Sequence, residues 1–154
     1  MKKIIIILVT FIVGFGVGKI PLIKVKDKLI MSKLREITVI DGDTVYTIHN
    51  KKIEKIRLIG IDCHETSYNR RADFQRELYK LSLEEIYQKG EIEKEYLQNL
   101  LEKYSGNIFI KRQGIDKYGR TLGILFIDKK ININSMMLEN NICPPFVISG
   151  NYPN

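Results

Sequence analysis

Three short clusters carry the residue types in this chain that could do chemistry. They are Asp41-Gly42-Asp43-Thr44, then Arg57-Leu58-Ile59-Gly60-Ile61-Asp62-Cys63-His64-Glu65, then Asp116-Lys117-Tyr118-Gly119-Arg120. Carboxylate oxygens suit a hard cation, and a guanidinium offers two parallel donors to an oxyanion. Taken singly, each cluster also has a plain structural explanation. Asp-Gly between β-like runs makes a hairpin turn. An arginine within a strand, followed at the strand's end by two carboxylates three residues apart, reads equally as a surface ion-pair arrangement and as a site. Turn chemistry accounts for the third cluster except for its arginine.

The elements that must position these clusters are short strands and one long helical stretch. Ile37–Ile40, Thr44–His49 and Ile53–Ile61 read as strands, parted by Asp41-Gly42-Asp43 and by Asn50-Lys51-Lys52. Turn signals about every ten residues predict a small antiparallel barrel or sandwich. Arg70 to Tyr104 reads as helix, with Phe74, Leu78 and Leu81 on one stripe and Ile92, Tyr96, Leu100 and Tyr104 on another. Gly90 is the expected point of division or kink, and the balanced charges of this stretch read as a solvated face. Strands resume at Ile108–Arg112 and Leu122–Phe126, and a short helix around Ile133–Asn140 stops ahead of Pro144-Pro145.

The 154 residues amount to one domain with an appendage, and 44% hydrophobic against 28% charged residues excludes wholesale disorder. Two cysteines and the lack of a CxxC or His-rich tract exclude a disulfide framework and a zinc site. Ile4 to Gly18 is an uncharged, mostly apolar run after a basic start. As a helix it would span about 22 Å, short of the ~30 Å hydrocarbon core. Residues 1–23 therefore read as a signal peptide or a membrane anchor, and 24–36 as a basic linker. Either reading places the body outside the cytoplasm, exported and either secreted or facing outward from a membrane. The net charge of +7 divides unevenly, because residues 1–36 hold eight basic and two acidic side chains. The body is nearly neutral, so its net charge gives little steering toward nucleic acid.

In order, DGDT, RLxGIDxxE and DKYGR make the body, from about Ile37 to Phe146, resemble the staphylococcal nuclease-like (thermonuclease) family. The resemblance implies an α+β, mainly β fold over 37–154, a five-stranded OB-fold barrel with packed helices. It also implies a calcium-dependent phosphodiesterase acting on DNA and RNA. Asp43 and Asp62 match the family's two metal carboxylates, and the backbone carbonyl of Cys63 matches its carbonyl ligand. Glu65 matches the glutamate beside the attacking water, as general base or as the group that orients the water. Arg57 and Arg120 match the arginines that grip the scissile phosphate, and Lys117 and Tyr118 the contacts to the substrate's other phosphate. Asp41 matches a supporting acid nearby, and Thr44 the hydroxyl beside the metal site.

The chain departs from the family pattern in places. Cys63 and His64 stand where the family usually has a small residue and proline, and His64 is expected to be an exposed loop histidine. Export would allow Cys63 and Cys143, the only cysteines, to pair and tie the site loop to the C-terminal segment. The helical insert is longer than in the best-known members. The family's substrate-stacking tyrosine has no secure match. Phe146 is the nearest aromatic, with a core or edge role equally open. The expected molecule is a monomeric nuclease, exported or held at a membrane. Its alternatives are a non-catalytic OB-fold module for single-stranded nucleic acid and a membrane-tethered structural protein. Loss of a carboxylate or arginine would favour the module, and none is lost.

Overall fold

The computed structural model describes residues 30–146. Its elements are β1 (Ser32–Lys33), β2 (Thr38–Asp41), β3 (Thr44–His49), β4 (Lys52–Leu58), α1 (Arg70–Tyr79), α2 (Leu83–Lys103), β5 (Ile108–Ile115), β6 (Thr121–Ile127), β7 (Ile131–Asn132) and α3 (Ile133–Glu139). Residues 1–23, read as signal peptide or anchor, lie outside the described residues. No described helix is long and apolar enough to cross a membrane. Residues 30–36, within the stretch read as a linker, join the fold: β1 pairs with β5 and Leu34 lies in the core.

The strands form one curled sheet in the order β1-β5-β6-β4-β3-β2, with β7 added beside β6. Five of them, β2 to β6, are four residues or longer, which gives the OB-like α+β fold. Asn50 and Lys51 both have positive φ (49° and 62°), the geometry of a two-residue turn whose twist matches its flanking strands. Alternation then sets the core face: Gly123, Leu125 and Ile127 of β6 point inward, as do Ile56 and Leu58 of β4. They meet Ile108, Ile110, Leu97, Leu101, Ile133 and Met137, all buried.

The sheet is not wholly antiparallel, contrary to the expectation from turn spacing. β4 and β6 run parallel, with Arg57 opposite Leu122. Parallel neighbours need a long crossover, and α1, α2 and β5 supply it. This pairing sets Arg57 beside the start of β6, two residues past Arg120.

The helical stretch divides at Lys80–Ser82, not at Gly90. Lys80 takes a left-handed φ of 57° that closes α1, and Ser82 opens α2 with a capping box to Glu85. The buried stripe of α2 is Ile86, Gly90, Glu93, Leu97 and Leu101, while Ile92 is 65% exposed. In α1 the buried residues are Ala72 and Gln75, not Leu78. Each face also carries one buried polar side chain, Gln75 of α1 and Glu93 of α2, that points at one loop.

Candidate functional site

That loop is 59–69, between β4 and α1, and it faces the β2–β3 turn. Gly42 in the turn is buried without a positive φ. A Cβ there would lie 2.8 Å from both Cβ and Sγ of Cys63, so close packing requires the glycine. The turn therefore brings Asp43 against the loop. Asp43 is buried; its Oδ2 accepts from the Cys63 N–H at 2.9 Å and its Oδ1 from the Thr44 hydroxyl at 3.1 Å. Asp41 Oδ1 accepts from the Asp43 N–H at 3.2 Å. Burial holds the Asp41 carboxyl above the usual carboxylate range, against the pull of Arg57, Lys55 and Arg120.

Arg57 joins the two acidic segments. Its Nη1 is ion-paired with Asp43 Oδ1, and its Nη2 lies 3.2 Å from Asp62 Oδ1. The same Nη2 donates to the Ile61 carbonyl at 3.3 Å. Burial pulls the Arg57 guanidinium below its ordinary value, and the Asp62 carboxylate opposes that shift. The other Asp62 oxygen is ion-paired with Arg71 of α1. Arg71 was missed in the sequence, where it reads as one more solvated charge beside Arg70. The Asn69 cap was the available signal, because it starts the helix there and fixes which side of α1 faces the loop.

Glu65 ends the acidic loop. Its Oε2 accepts from Asn69 Nδ2 at 2.6 Å. Burial raises its carboxyl above the usual range, with Asp41 adding to the shift and Arg57 and Arg71 opposing it. The Cys63 carbonyl accepts from Gln75 Nε2 at 2.8 Å, which leaves its second lone pair.

The third cluster forms the β5–β6 turn. Asp116 accepts from the N–H groups of Tyr118 and Arg120, both at 2.9 Å, and from Arg120 Nε at 2.7 Å. Burial would raise the Asp116 carboxyl, but these donors outweigh it and hold it low. Tyr118 is 69% exposed, with Lys117 Nζ 5.2 Å and Arg120 Cζ 5.5 Å from its ring centre. Asp43, Asp62 and Arg57 are thus in direct contact, and Arg120 is near enough to act on Arg57 and Asp41. Lys117 and Tyr118 stand toward solvent.

A model of the staphylococcal nuclease homologue family matches residues 55–147, more than half of the chain. The chain belongs to this family. Among curated proteins, none matches it. The family match begins at Lys55, so the Asp41–Thr44 turn is joined to the family segment by geometry: by Arg57, and by Asp43 on the Cys63 amide.

Two features differ from expectation or answer an open one. His64 is not an exposed loop histidine; it is buried at 7% exposure, with Nδ1 2.6 Å from Glu93 Oε1 and its ring centre 5.1 Å from that of Tyr79. Cys63 and Cys143 are disulfide-bonded. They form, with Glu93, the one close grouping of three metal-capable donors among the described residues, but sulfurs joined to each other are not thiolate ligands. Phe146 sits at the edge, 40% exposed, its N–H donating to the Gly60 carbonyl at 3.1 Å.

Proposed function

We propose that this staphylococcal nuclease homologue is a calcium-dependent nuclease that hydrolyses phosphodiester bonds in DNA and RNA. One observation carries the reading: the carboxylates of Asp43 and Asp62, from two separate loops, converge on the single Arg57 guanidinium. In a nearly neutral body, two buried acids and a half-buried arginine at one point are a poor stabilising device, since each desolvated ion costs several kcal/mol. It is a good place to bind a cation and an anion together.

The donor set fits calcium in kind. Asp43 and Asp62 offer hard anionic oxygens, and the Cys63 carbonyl keeps a lone pair for a third. Calcium, when bound, would supply positive charge beside the scissile phosphate. Substrate phosphate would take over the Arg57 guanidinium, now shared between the two aspartates, and Arg120 would hold the same group from β6. Both can donate in parallel to phosphate oxygens, and an arginine aimed at charge that grows in the transition state contributes about 3 kcal/mol. Glu65 would orient the attacking water or take its proton. Lys117 and Tyr118, standing in solvent beside Arg120, suit a neighbouring phosphate of the strand. Asp41 and Thr44 support Asp43.

The disulfide favours an oxidising compartment, in keeping with export or outward anchoring through residues 1–23, and we take the protein to act as a monomer. The deciding assay is a digest of denatured DNA and of RNA by the full chain, with millimolar calcium or with chelator, beside Arg57→Ala. Turnover that needs calcium and falls by at least ~100-fold in the variant is expected. Equal traces for all arms would end the enzyme reading. A non-catalytic OB-fold module for single-stranded nucleic acid draws on one observation, that both Asp62 oxygens are already taken by Arg57 and Arg71. It predicts salt-sensitive binding with no calcium-dependent turnover.

A further inference from the structure

Asp62 and Glu65 lie on a turn that belongs to no helix or strand, yet hydrogen bonds hold the backbone of every residue from Asp62 to Glu65. The first half is tied to the C-terminal segment and to the β2–β3 turn. The Asp62 N–H donates to the Pro144 carbonyl at 2.9 Å, and the Cys63 N–H to Asp43 at 2.9 Å. The second half is tied to the helices by two side chains. Gln75 of α1, fully buried, accepts from the Glu65 N–H at 2.9 Å through Oε1 and donates to the Cys63 carbonyl at 2.8 Å through Nε2. Glu93 of α2, also buried, accepts from the His64 N–H at 2.5 Å through Oε2 and meets His64 Nδ1 through Oε1. With the carboxylate as acceptor, Nδ1 is the donor. Gly90 lets the helix come this close, because a Cβ there would lie 2.5 Å from the Glu65 carbonyl oxygen.

A buried amide and a buried carboxylate are costly for two helices unless fully used. Here these four hydrogen bonds all go to residues 63–65. We infer that Gln75 and Glu93 are positioning residues, which clamp the Cys63–Glu65 backbone so that Glu65 keeps its place relative to Asp62, Asp43 and Arg57. The catalytic consequence rests on the nuclease reading above. The asymmetry of the ties makes it specific. Asp62 keeps the Pro144 and Arg71 contacts when the clamp is lost, whereas the Glu65 backbone loses its anchor. The damage should fall on turnover more than on binding.

The test uses the full chain as Gln75→Leu, Glu93→Leu and Glu93→Gln, with the core variant Leu101→Ala as a measure of plain destabilisation. At saturating calcium, well below the melting temperatures, the two leucine variants should lose roughly 10–100-fold in kcat, with KM within about threefold. Glu93→Gln, which keeps an acceptor for the His64 N–H, should recover most of that loss, and Leu101→Ala should keep its kcat. Unchanged kcat in a folded leucine variant would overturn the inference. So would losses that simply follow stability, Leu101→Ala included. Amide hydrogen exchange reads the clamp without any turnover. The Glu65 amide should exchange faster in Gln75→Leu, and the His64 amide in Glu93→Leu, than in Leu101→Ala; equal protection would sink the clamp. If the wild type hydrolyses nothing, the nuclease reading falls, and exchange alone decides the positioning. Should one leucine variant fail to fold, the other carries the comparison.

Discussion

Cys143 is bonded to Cys63 across 80 residues of sequence, with Cα atoms 4.7 Å apart, so the C-terminal segment is fastened to the turn that holds the acidic residues. The Ile61–Pro145 bridge and the Asp62–Pro144 hydrogen bond run beside the covalent link. Closing a loop of this length in the unfolded chain is worth about 4.5 kcal/mol in the chain-entropy account. Reduction, or Cys143→Ala, should therefore lower the melting temperature by roughly 10–20 °C. Calorimetry with and without reductant measures this directly. A shift under about 3 °C would mean that the disulfide contributes little to stability.

Glu54 and Arg112 form a two-point ion pair on the sheet, with Nε 2.8 Å from Oε1 and Nη2 2.6 Å from Oε2, and the Thr121 hydroxyl adds a third donor. The hydrogen bond from Arg112 holds the Glu54 carboxyl below the usual glutamate range. A carboxyl with a depressed folded-state value stabilises fully above its unfolded value, and that contribution fades as pH falls through the folded one. Wild type should thus be more stable than Glu54→Gln at neutral pH. The gap in melting temperature should close as pH drops below about 4. A gap that stays constant from neutral pH to about 3 would contradict the assignment.

Much of the fold was legible because its signals are local. Asp41-Gly42 and Asn50-Lys51 mark the two hairpins, and alternation marks the strands around them. The helical stretch misled because each of its buried faces includes a polar residue, Gln75 on α1 and Glu93 on α2. Gln75 and Glu93 read as solvated positions, since their partners, Cys63 to Glu65, lie 10 to 29 residues away. His64 was misjudged for the same reason: nothing near it in sequence announces Glu93. A signal did exist. A glycine inside a helical pattern marks a close backbone approach, and Glu93 lies three residues after Gly90, on the same face. The clusters themselves were visible as residue types. Their convergence depends on the parallel β4–β6 pairing, which turn spacing does not encode.

Asp116 holds Arg120 by its side chain and by its backbone at once, so it fixes the direction in which that guanidinium points. Asp116→Ala should free Arg120 and open the β5–β6 turn while leaving the core intact. Nuclease turnover is expected to drop by ~10-fold or more, with a small change in melting temperature. Asp116→Asn, which still accepts hydrogen bonds, should lie between the two. If Asp116→Ala matches wild type in kcat while Arg120→Ala is inactive, Arg120 needs no such support.

Gly90 offers a test of how tightly helix and loop are fitted, because its neighbour is backbone and not a yielding side chain. A Cβ on it would meet the Glu65 carbonyl oxygen at 2.5 Å, the Glu65 carbonyl carbon at 2.8 Å and the His64 carbonyl oxygen at 2.8 Å. Elsewhere in a helix, Gly→Ala stabilises by about 1 kcal/mol through propensity. Here overpacking of about 1–3 kcal/mol opposes that gain, and relief requires the 64–65 backbone to move. Gly90→Ala should therefore be net destabilising and should reduce turnover as well, since Glu65 moves with its own carbonyl. Urea denaturation and a calcium-dependent digest of the same preparation check both. A variant more stable than wild type with full activity would show that the loop yields at no cost, and that its position is not set by α2.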